Sequence, residues 1–264
     1  MKLSQTEISH LERDGFLILP ELFSNQEVDC IRQRMPTLLN EKHDANIIER
    51  DSGLVRTAMG LHLRDALFAK LVRHPRLVEP AQQIRGDSLY VQQVKINVKA
   101  AYSGEVWQWH YDFATHHSDD GVPQPLALNL HIFLDDVNEF NGPLYFIPGS
   151  HQFGPHKAFH DVTTTSYPLW VVDNDVVNSM ITHAETIDPD RGIVSAKGKR
   201  GTGLVFFDTL VHSSPNNLSP WDRAIFSLIL NPVDNCYTKH ARPDFKHHKD
   251  LAAIIPMDDD CLVA

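Results

Sequence analysis

Near residue 88 the texture of this chain changes, and that change constrains its architecture more than any other feature. Before it, apolar residues recur with a helical period. Ser4 to Arg13 is a short amphipathic stretch stopped by Gly15. Ser24-Asn25-Gln26-Glu27 spells a capping box that opens a helix carrying Val28, Ile31, Met35, Leu38 and Leu39 on one face. Phe16 to Pro20 reads as a strand between the two. Ala66 to Ile84 reads as helix, interrupted at His74-Pro75 and closed by Gly86. After residue 88 the pattern is short and β-rich: Leu89–Val98, Leu126–Leu134, Pro143–Ile147, Leu204–Phe207 and Ile225–Leu230, separated by Asn, Gly, Pro and Asp clusters. Helices followed by many short strands predict a mainly β fold with flanking α-helices, a barrel or double-sheet jelly roll buttressed by its N-terminal part.

A chain of 264 residues can bury its core as one domain, so 1–264 is read as a single unit. Residues 1–87 form helical support, 88–153 and 201–233 the barrel core. The weakly patterned 154–200 is expected to be a lid insertion over the barrel mouth. A formal charge of −10 argues against nucleic acid, which would want a basic face. No apolar run approaches the roughly 20 residues that cross a bilayer, and Met1 to Glu7 has no secretory apolar region. Three widely spaced cysteines fit reduced thiols and a cytoplasmic location. The expected partner is a small-molecule substrate, and the expected assembly a monomer or homodimer.

His-x-Asp followed by a distant His is the ligand order of the two-His-one-carboxylate triad that holds Fe(II) and leaves positions open for oxygen chemistry. The pattern by itself is weak, because it occurs at His110-x-Asp112, His117-x-Asp119 and His248-x-Asp250. His117 lies near a Ser-Asp-Asp-Gly turn and His248 in a Lys/His/Asp-rich stretch, which both read as solvated surface. His110 follows Trp107 and Trp109 and precedes Phe113, as at a strand end with a dry wall. Residues two apart in a strand share a face, so this imidazole and the Asp112 carboxylate can converge on one ion. His212 ends an apolar strand and Arg223 begins the next. Singly, His212 reads equally as a structural histidine or a ligand, and Arg223 as a surface ion-pair partner. Jointly they supply a third ligand and a planar cation suited to a carboxylate.

Around these residues the text Gln93-x-Lys95-Ile96-Asn97-x-Lys99, Gly104, Trp109-His110-x-Asp112-Phe113, Asp120-Gly121-x-Pro123 and Asn141-Gly142-Pro143-Leu144-x-Phe146-Ile147-Pro148-Gly149-Ser150-His151 resembles the phytanoyl-CoA dioxygenase superfamily. Phe207, His212, Asn217-x-Ser219-Pro220 and Arg223 continue the likeness. Asp14-Gly15-Phe16 and Arg56-Thr57 begin it. Within the superfamily the chain is similar to bacterial hydroxylases of free leucine and proline and to ectoine hydroxylase. The resemblance implies a double-stranded β-helix (cupin-like) with Fe(II) on His110, Asp112 and His212. It implies 2-oxoglutarate on Lys99 and Arg223 with Trp107 and Asn129 lining the pocket, and O2 as co-substrate. It puts Gln93, His116 and Phe206 against the substrate. The expected reaction hydroxylates an unactivated C–H of a small free amino acid or similar zwitterion and releases succinate and CO2. An ectoine-type solute or a natural-product intermediate is the alternative substrate. Outside this class, a non-catalytic metal-binding cupin-like protein and a jelly-roll binding module remain as rival readings. The chain departs from these relatives at two positions: His116 stands where they usually carry Trp, and Tyr111 where the amino-acid hydroxylases tend to have Gln. Both are expected beside the open iron face.

Overall fold

Each half of the chain closes its hydrogen bonds differently, and the two solutions meet on one large sheet. In a computed structural model that describes residues 1–263, the elements run α1 (Gln5–Asp14), β1 (Phe16–Leu19), α2 (Asn25–Asn40), β2 (Asn46–Ile48), β3 (Val55–Met59), α3 (Leu61–Arg64), α4 (Ala66–Leu71), α5 (Pro75–Arg85) and β4 (Leu89–Lys99). There follow β5 (Trp107–His110), α6 (Asp112–Asp120), β6 (Leu128–Phe133), β7 (Leu144–Phe146), β8 (Ala158–Asp161), β9 (Leu169–Val172), α7 (Asn174–Ile187), β10 (Val194–Ala196), β11 (Gly203–Phe207), β12 (His212–Ser214) and β13 (Arg223–Pro232). The major sheet has the order β1-β11-β6-β13-β4-β3-β2 and the minor sheet the order β10-β7-β12-β5. Its central four strands and the four of the minor sheet make the double-stranded β-helix, with β1 and the β2–β3 hairpin added at the edges.

Alternation sorts the residues of the major sheet. Leu128, Leu130 and Ile132 of β6 and Ala224, Phe226 and Leu228 of β13 pack against Val28 and Ile31 of α2, Phe68 and Leu71 of α4, and Leu77 and Val78 of α5. The intervening residues turn toward the minor sheet, where Phe133, Leu204 and Phe206 meet Leu144, Phe146 and Ala196. One irregularity matters for the site. Ile229 pairs with Gln93 but Leu230 pairs with Val91, so Gln92 is an extra residue in β4. That bulge lets Val91 and Val94, three apart, both reach the helices. It brings Gln93, Lys95 and Asn97 onto the inner face.

The helix starts follow from local chemistry. Ser24 Oγ accepts from the Glu27 amide at 3.3 Å while Glu27 Oε2 accepts from the Ser24 amide at 2.8 Å. The box read from the sequence is therefore complete, and Ser4 with Glu7 makes a second one. Gly15 ends α1 at φ 86°, and a Cβ there would lie 2.4 Å from His151 Nδ1, so only glycine serves.

Two expectations about boundaries change. Residues 1–87 are more than helical support, because β1, β2 and β3 extend the major sheet. The 154–200 segment is more than an insertion: β10 completes the minor sheet, and α7 buries Val177, Met180 and Ala184 against Phe113, Val122 and Ile147. Only its β8–β9 hairpin reaches the barrel mouth. The sequence pattern also gave no sign of the strap after β13. There the amides of His248, Ile254 and Met257 donate to the carbonyls of Gln92, Leu89 and Arg73. No described helix is long and apolar enough to cross a membrane, and Cys30, Cys236 and Cys261 are free thiols.

Phe226 is fully buried, with its ring centroid 5.9 Å from that of Phe68 across the helix–sheet interface. Phe226→Ala is expected to lower unfolding free energy by about 3–5 kcal/mol in denaturant titration, as large aromatic truncations in packed cores do.

Candidate active site

Strand pairing sets two of the three metal-capable side chains. β5 and β12 run antiparallel with His110 directly opposite His212, and the two imidazole centroids are 4.1 Å apart. β5 stops at His110. Tyr111 keeps extended angles (φ −133°, ψ 141°) as the cap of α6, so Asp112, the first helical residue, still points to the His110 side. The convergence expected for a strand thus holds across a strand-to-helix junction. His110 Nε2 and Asp112 Oδ1 are 3.9 Å apart, and one ligand atom from each of His110, Asp112 and His212 lies within 4.8 Å of the others.

The protons on these groups suit a cation. Nδ1 of His110 is 2.6 Å from the Gln108 carbonyl, and Nδ1 of His212 is 2.9 Å from that of Leu210. A carbonyl only accepts, so each Nδ1 carries the proton and each Nε2 lone pair is free. Burial, with His212 alongside, pushes His110 down to about 3, and burial also lowers His212. Burial alone would raise the Asp112 carboxyl, but His212, Lys95 and His110 outweigh it and hold it below the usual carboxylate range. Two neutral imidazoles and one carboxylate are the donor set that fits Fe(II).

The cavity beside the triad is lined by Trp107, Asn129, Arg223, Gln93, Lys95 and His116 among others. Arg223 is 1% exposed and has no carboxylate within ion-pair reach among the described residues. Its Nε and Nη2 donate to the Gly142 carbonyl and Nη2 also to Ser214 Oγ, leaving Nη1 without a partner. Burial, then the nearby Arg56, pulls this guanidinium down to about 9. Asn129 is fully buried, and neither atom of its amide has a partner. A buried unpaired cation and an unsatisfied amide in one cavity call for an anionic, hydrogen-bonding ligand. They fit the far carboxylate of 2-oxoglutarate. Trp107 lines the same wall, with the Arg56 guanidinium 3.9 Å above its ring.

Three expectations need correction. Lys99 does not line the cavity. Its ammonium is consumed by the carbonyls of Glu105 (2.7 Å) and Pro215 (2.6 Å), so it ties two loops together. Phe206 lies behind the lining, tilted against Phe146 and edge-on to the rings of His131 and His212. Tyr111, between two residues that face the cavity, points away and donates to the His156 carbonyl. The other departure, His116, is buried in the cavity wall with Nδ1 unpartnered. Gln93 lines the cavity with both ends of its amide engaged, to Lys95 and the Lys246 carbonyl. Lys95, Tyr167 and Arg242 also line it. The inner-face alternation of β4 could have singled out Lys95. Tyr167 and Arg242 sit on irregular segments where no periodicity points inward. His117 is exposed, and His248 contacts Asp244 at 3.0 Å, so neither rival His-x-Asp pair builds a site.

Residues 11–225 match the phytanoyl-CoA dioxygenase (PhyH) family, and the chain belongs to that family. It is 36% identical over 259 residues to the L-proline trans-4-hydroxylase of Streptomyces griseoviridis, covering 95% of this chain and 94% of the relative. It is 33% identical over 277 residues to the ectoine dioxygenase of Bordetella bronchiseptica, covering 99% and 88%. The crystal structure of EctD from S. alaskensis with 2-oxoglutarate and 5-hydroxyectoine superposes with a TM-score of 0.83 at 29% identity, covering 97% of this chain and 87% of that one.

The far end of α6 is anchored as firmly as its first residue is placed. Arg242 Nε donates to Asp120 Oδ1 at 2.7 Å and Nη2 to Oδ2, and His247 Nδ1 lies 2.8 Å from Oδ2. Burial opposes ionisation, yet His247 and Arg242 pull the Asp120 carboxyl down to about 2 from 3.8. A depressed folded-state value means stability that is present above the unfolded value and lost as pH falls toward 2. Asp120→Asn is expected to flatten the acid limb of a pH-resolved stability curve between about pH 4 and 2. At pH 7 it should cost about 3–5 kcal/mol, the loss typical of breaking a buried pair.

Proposed function

We propose that this chain uses Fe(II), 2-oxoglutarate and O2 to hydroxylate a small free amino acid or amino-acid-like zwitterion, with L-proline and ectoine the first candidates. The observation that carries the reading is the coexistence, in one cavity, of the His110–Asp112–His212 cluster and an unpaired buried guanidinium, Arg223. A structural or purely ligand-storing metal site has no use for that guanidinium, whose burial only a bound anion offsets. Similarity to named hydroxylases of proline and ectoine supports the substrate class.

When bound, the iron and its co-substrate supply the oxidising chemistry, in which 2-oxoglutarate leaves as succinate and CO2 and one oxygen atom becomes the product hydroxyl. The protein's residues do the rest. The Gln108 and Leu210 carbonyls hold the protons of His110 and His212 away from the metal side. Asp112 stays ionised and keeps the carboxylate that a halogenating site lacks. Arg223 takes the far carboxylate of 2-oxoglutarate, its plane set by Gly142 and Ser214, and Asn129 offers an amide to the same molecule. Phe146 and Phe206 back His212 and keep water from that side, while Tyr167 and Leu169 cover the mouth. His116 faces the substrate from α6. The free thiols support a cytoplasmic setting, where the protein works as a monomer or homodimer.

Anaerobic loading with Fe(II) tests the assignment. His110→Ala and Asp112→Ala are expected to lose stoichiometric iron and substrate-stimulated succinate release. Arg223→Leu should keep its iron and bind 2-oxoglutarate about 10- to 100-fold more weakly, the value of a charge-assisted pair. In the native protein, 2-oxoglutarate at a hundred times its Kd should add about 2.7 kcal/mol of stability. Full iron content in either ligand variant, or unchanged 2-oxoglutarate affinity in Arg223→Leu, overturns the respective role.

A further inference from the structure

Lys95, Arg223 and Arg242 line this cavity, Arg56 and Lys99 lie behind its wall, and most of these cations are engaged within the protein. Arg242 is paired with Asp120, Arg56 with Glu105 and the Val106 carbonyl, and Lys99 with backbone carbonyls. Arg223 is left for the co-substrate. Lys95 remains. Its ammonium has one partner, Gln93 Oε1 at 2.7 Å, and no carboxylate within ion-pair reach among the described residues.

The Gln93 contact is a positioning device. Gln93 Nε2 donates to the Lys246 carbonyl at 2.7 Å. Since a carbonyl cannot donate, the amide nitrogen must face Lys246 and the amide oxygen must face Lys95. The C-terminal strap thereby fixes which way Gln93 presents its acceptor, and Gln93 holds the ammonium over the cavity with two N–H groups unspent. Arrangements of this kind are costly in a folded protein unless a ligand uses them.

Lys95 and Arg223 serve different ends of the cavity. In the β4–β13 ladder Lys95 stands opposite Ser227 and Arg223 opposite Lys99. They are four residues apart along the strands, roughly 13 Å at about 3.3 Å per residue. The charges acting on Lys95 are Asp112 and Arg242, whereas Arg56 acts on Arg223. Lys95 therefore belongs to the end bounded by α6 and the strap, where His116 and Arg242 also face inward.

We propose that Lys95, held by Gln93, is the specificity-determining cation that receives the carboxylate of the primary substrate, while Arg223 serves 2-oxoglutarate. The proposal rests on the hydroxylase reading above and sharpens it: the enzyme selects a free carboxylate and rejects its amide or ester.

The Fe(II)-loaded protein and its Lys95→Met and Lys95→Arg variants provide the test. L-proline, L-leucine and ectoine are first screened for stimulated succinate release by the native enzyme, and the best probe is compared with its carboxamide. Kd for the probe and for 2-oxoglutarate is measured anaerobically by calorimetry. Lys95→Met is expected to weaken the acid about 10- to 100-fold, to erase the preference for acid over amide, and to leave 2-oxoglutarate affinity within about twofold. Lys95→Arg should keep the preference, and ligand-free Lys95→Met should melt no lower than the native protein, because a hydrophobic replacement relieves an unpaired charge. A matching loss of 2-oxoglutarate affinity, or an undiminished preference for the acid in Lys95→Met, overturns the proposal and leaves the hydroxylase intact. Iron and 2-oxoglutarate binding without stimulation of the native enzyme by any probe overturns the substrate class and the Lys95 role with it.

Discussion

The β5–β12 pairing carries the rest of the structure. It sets the imidazoles of His110 and His212 directly opposite each other, and its register decides whether a metal can be shared. Because side chains alternate along a strand, a slip of one residue would turn His212 into the outer wall. Several features hold that register. Phe146 in β7 pairs with His212 from the other side, and Leu210, two residues before it, is fully buried with Phe16 and Phe206. The Val211 amide donates to Ser150 Oγ at 2.9 Å. The apolar packing between the sheets is thus what makes the polar cluster possible.

Around that pair the protein accepts electrostatic costs. Arg223 and Lys95 line the cavity with no carboxylate within ion-pair distance among the described residues, and Asn129 has an unsatisfied amide. None of these arrangements favours the folded state of the free protein. The helix-facing side of the major sheet offsets them with continuous apolar packing from α2, α4 and α5. The division is spatial: one face of the sheet supplies stability and the other holds groups in states that only ligands complete.

That division explains what the sequence made legible. The capping box at Ser24, the breaks at His74-Pro75 and Gly86 and the alternation of β4 from Gln93 onward are local rules, and the structure follows them; the bulge at Gln92 interrupts that alternation. The triad was legible because the two-residue spacing of His110 and Asp112 needs only an extended Tyr111, which holds although the strand ends before it. The resemblance put Lys99 at 2-oxoglutarate, but a match in sequence position does not say what the side chain reaches. Lys99 shares the inner face of β4, but the loop carbonyls of Glu105 and Pro215 reach it before the cavity does. Tyr111 was misread because a position between two ligands is close in sequence yet opposite in direction. Arg242 and Tyr167 were missed because they come from a strap and a hairpin turn whose placement is set by tertiary contacts, which no period records.

The strand-to-helix junction at Tyr111 also separates two tasks that share one element. Asp112 and His116 are four apart on α6, so both face the cavity from one side of the helix. Asp112 is fixed from its N-terminal side, where β5 and the extended Tyr111 set its direction. The other end of α6 is fixed independently by Arg242 and His247 on Asp120. A helix held at both ends transmits little of a side-chain change at its middle to its first residue. The imidazole at 116 can therefore be exchanged without disturbing the Asp112 carboxylate one turn earlier. The cavity wall at His116 and the carboxylate at Asp112 are thus set separately along α6, although one element carries both.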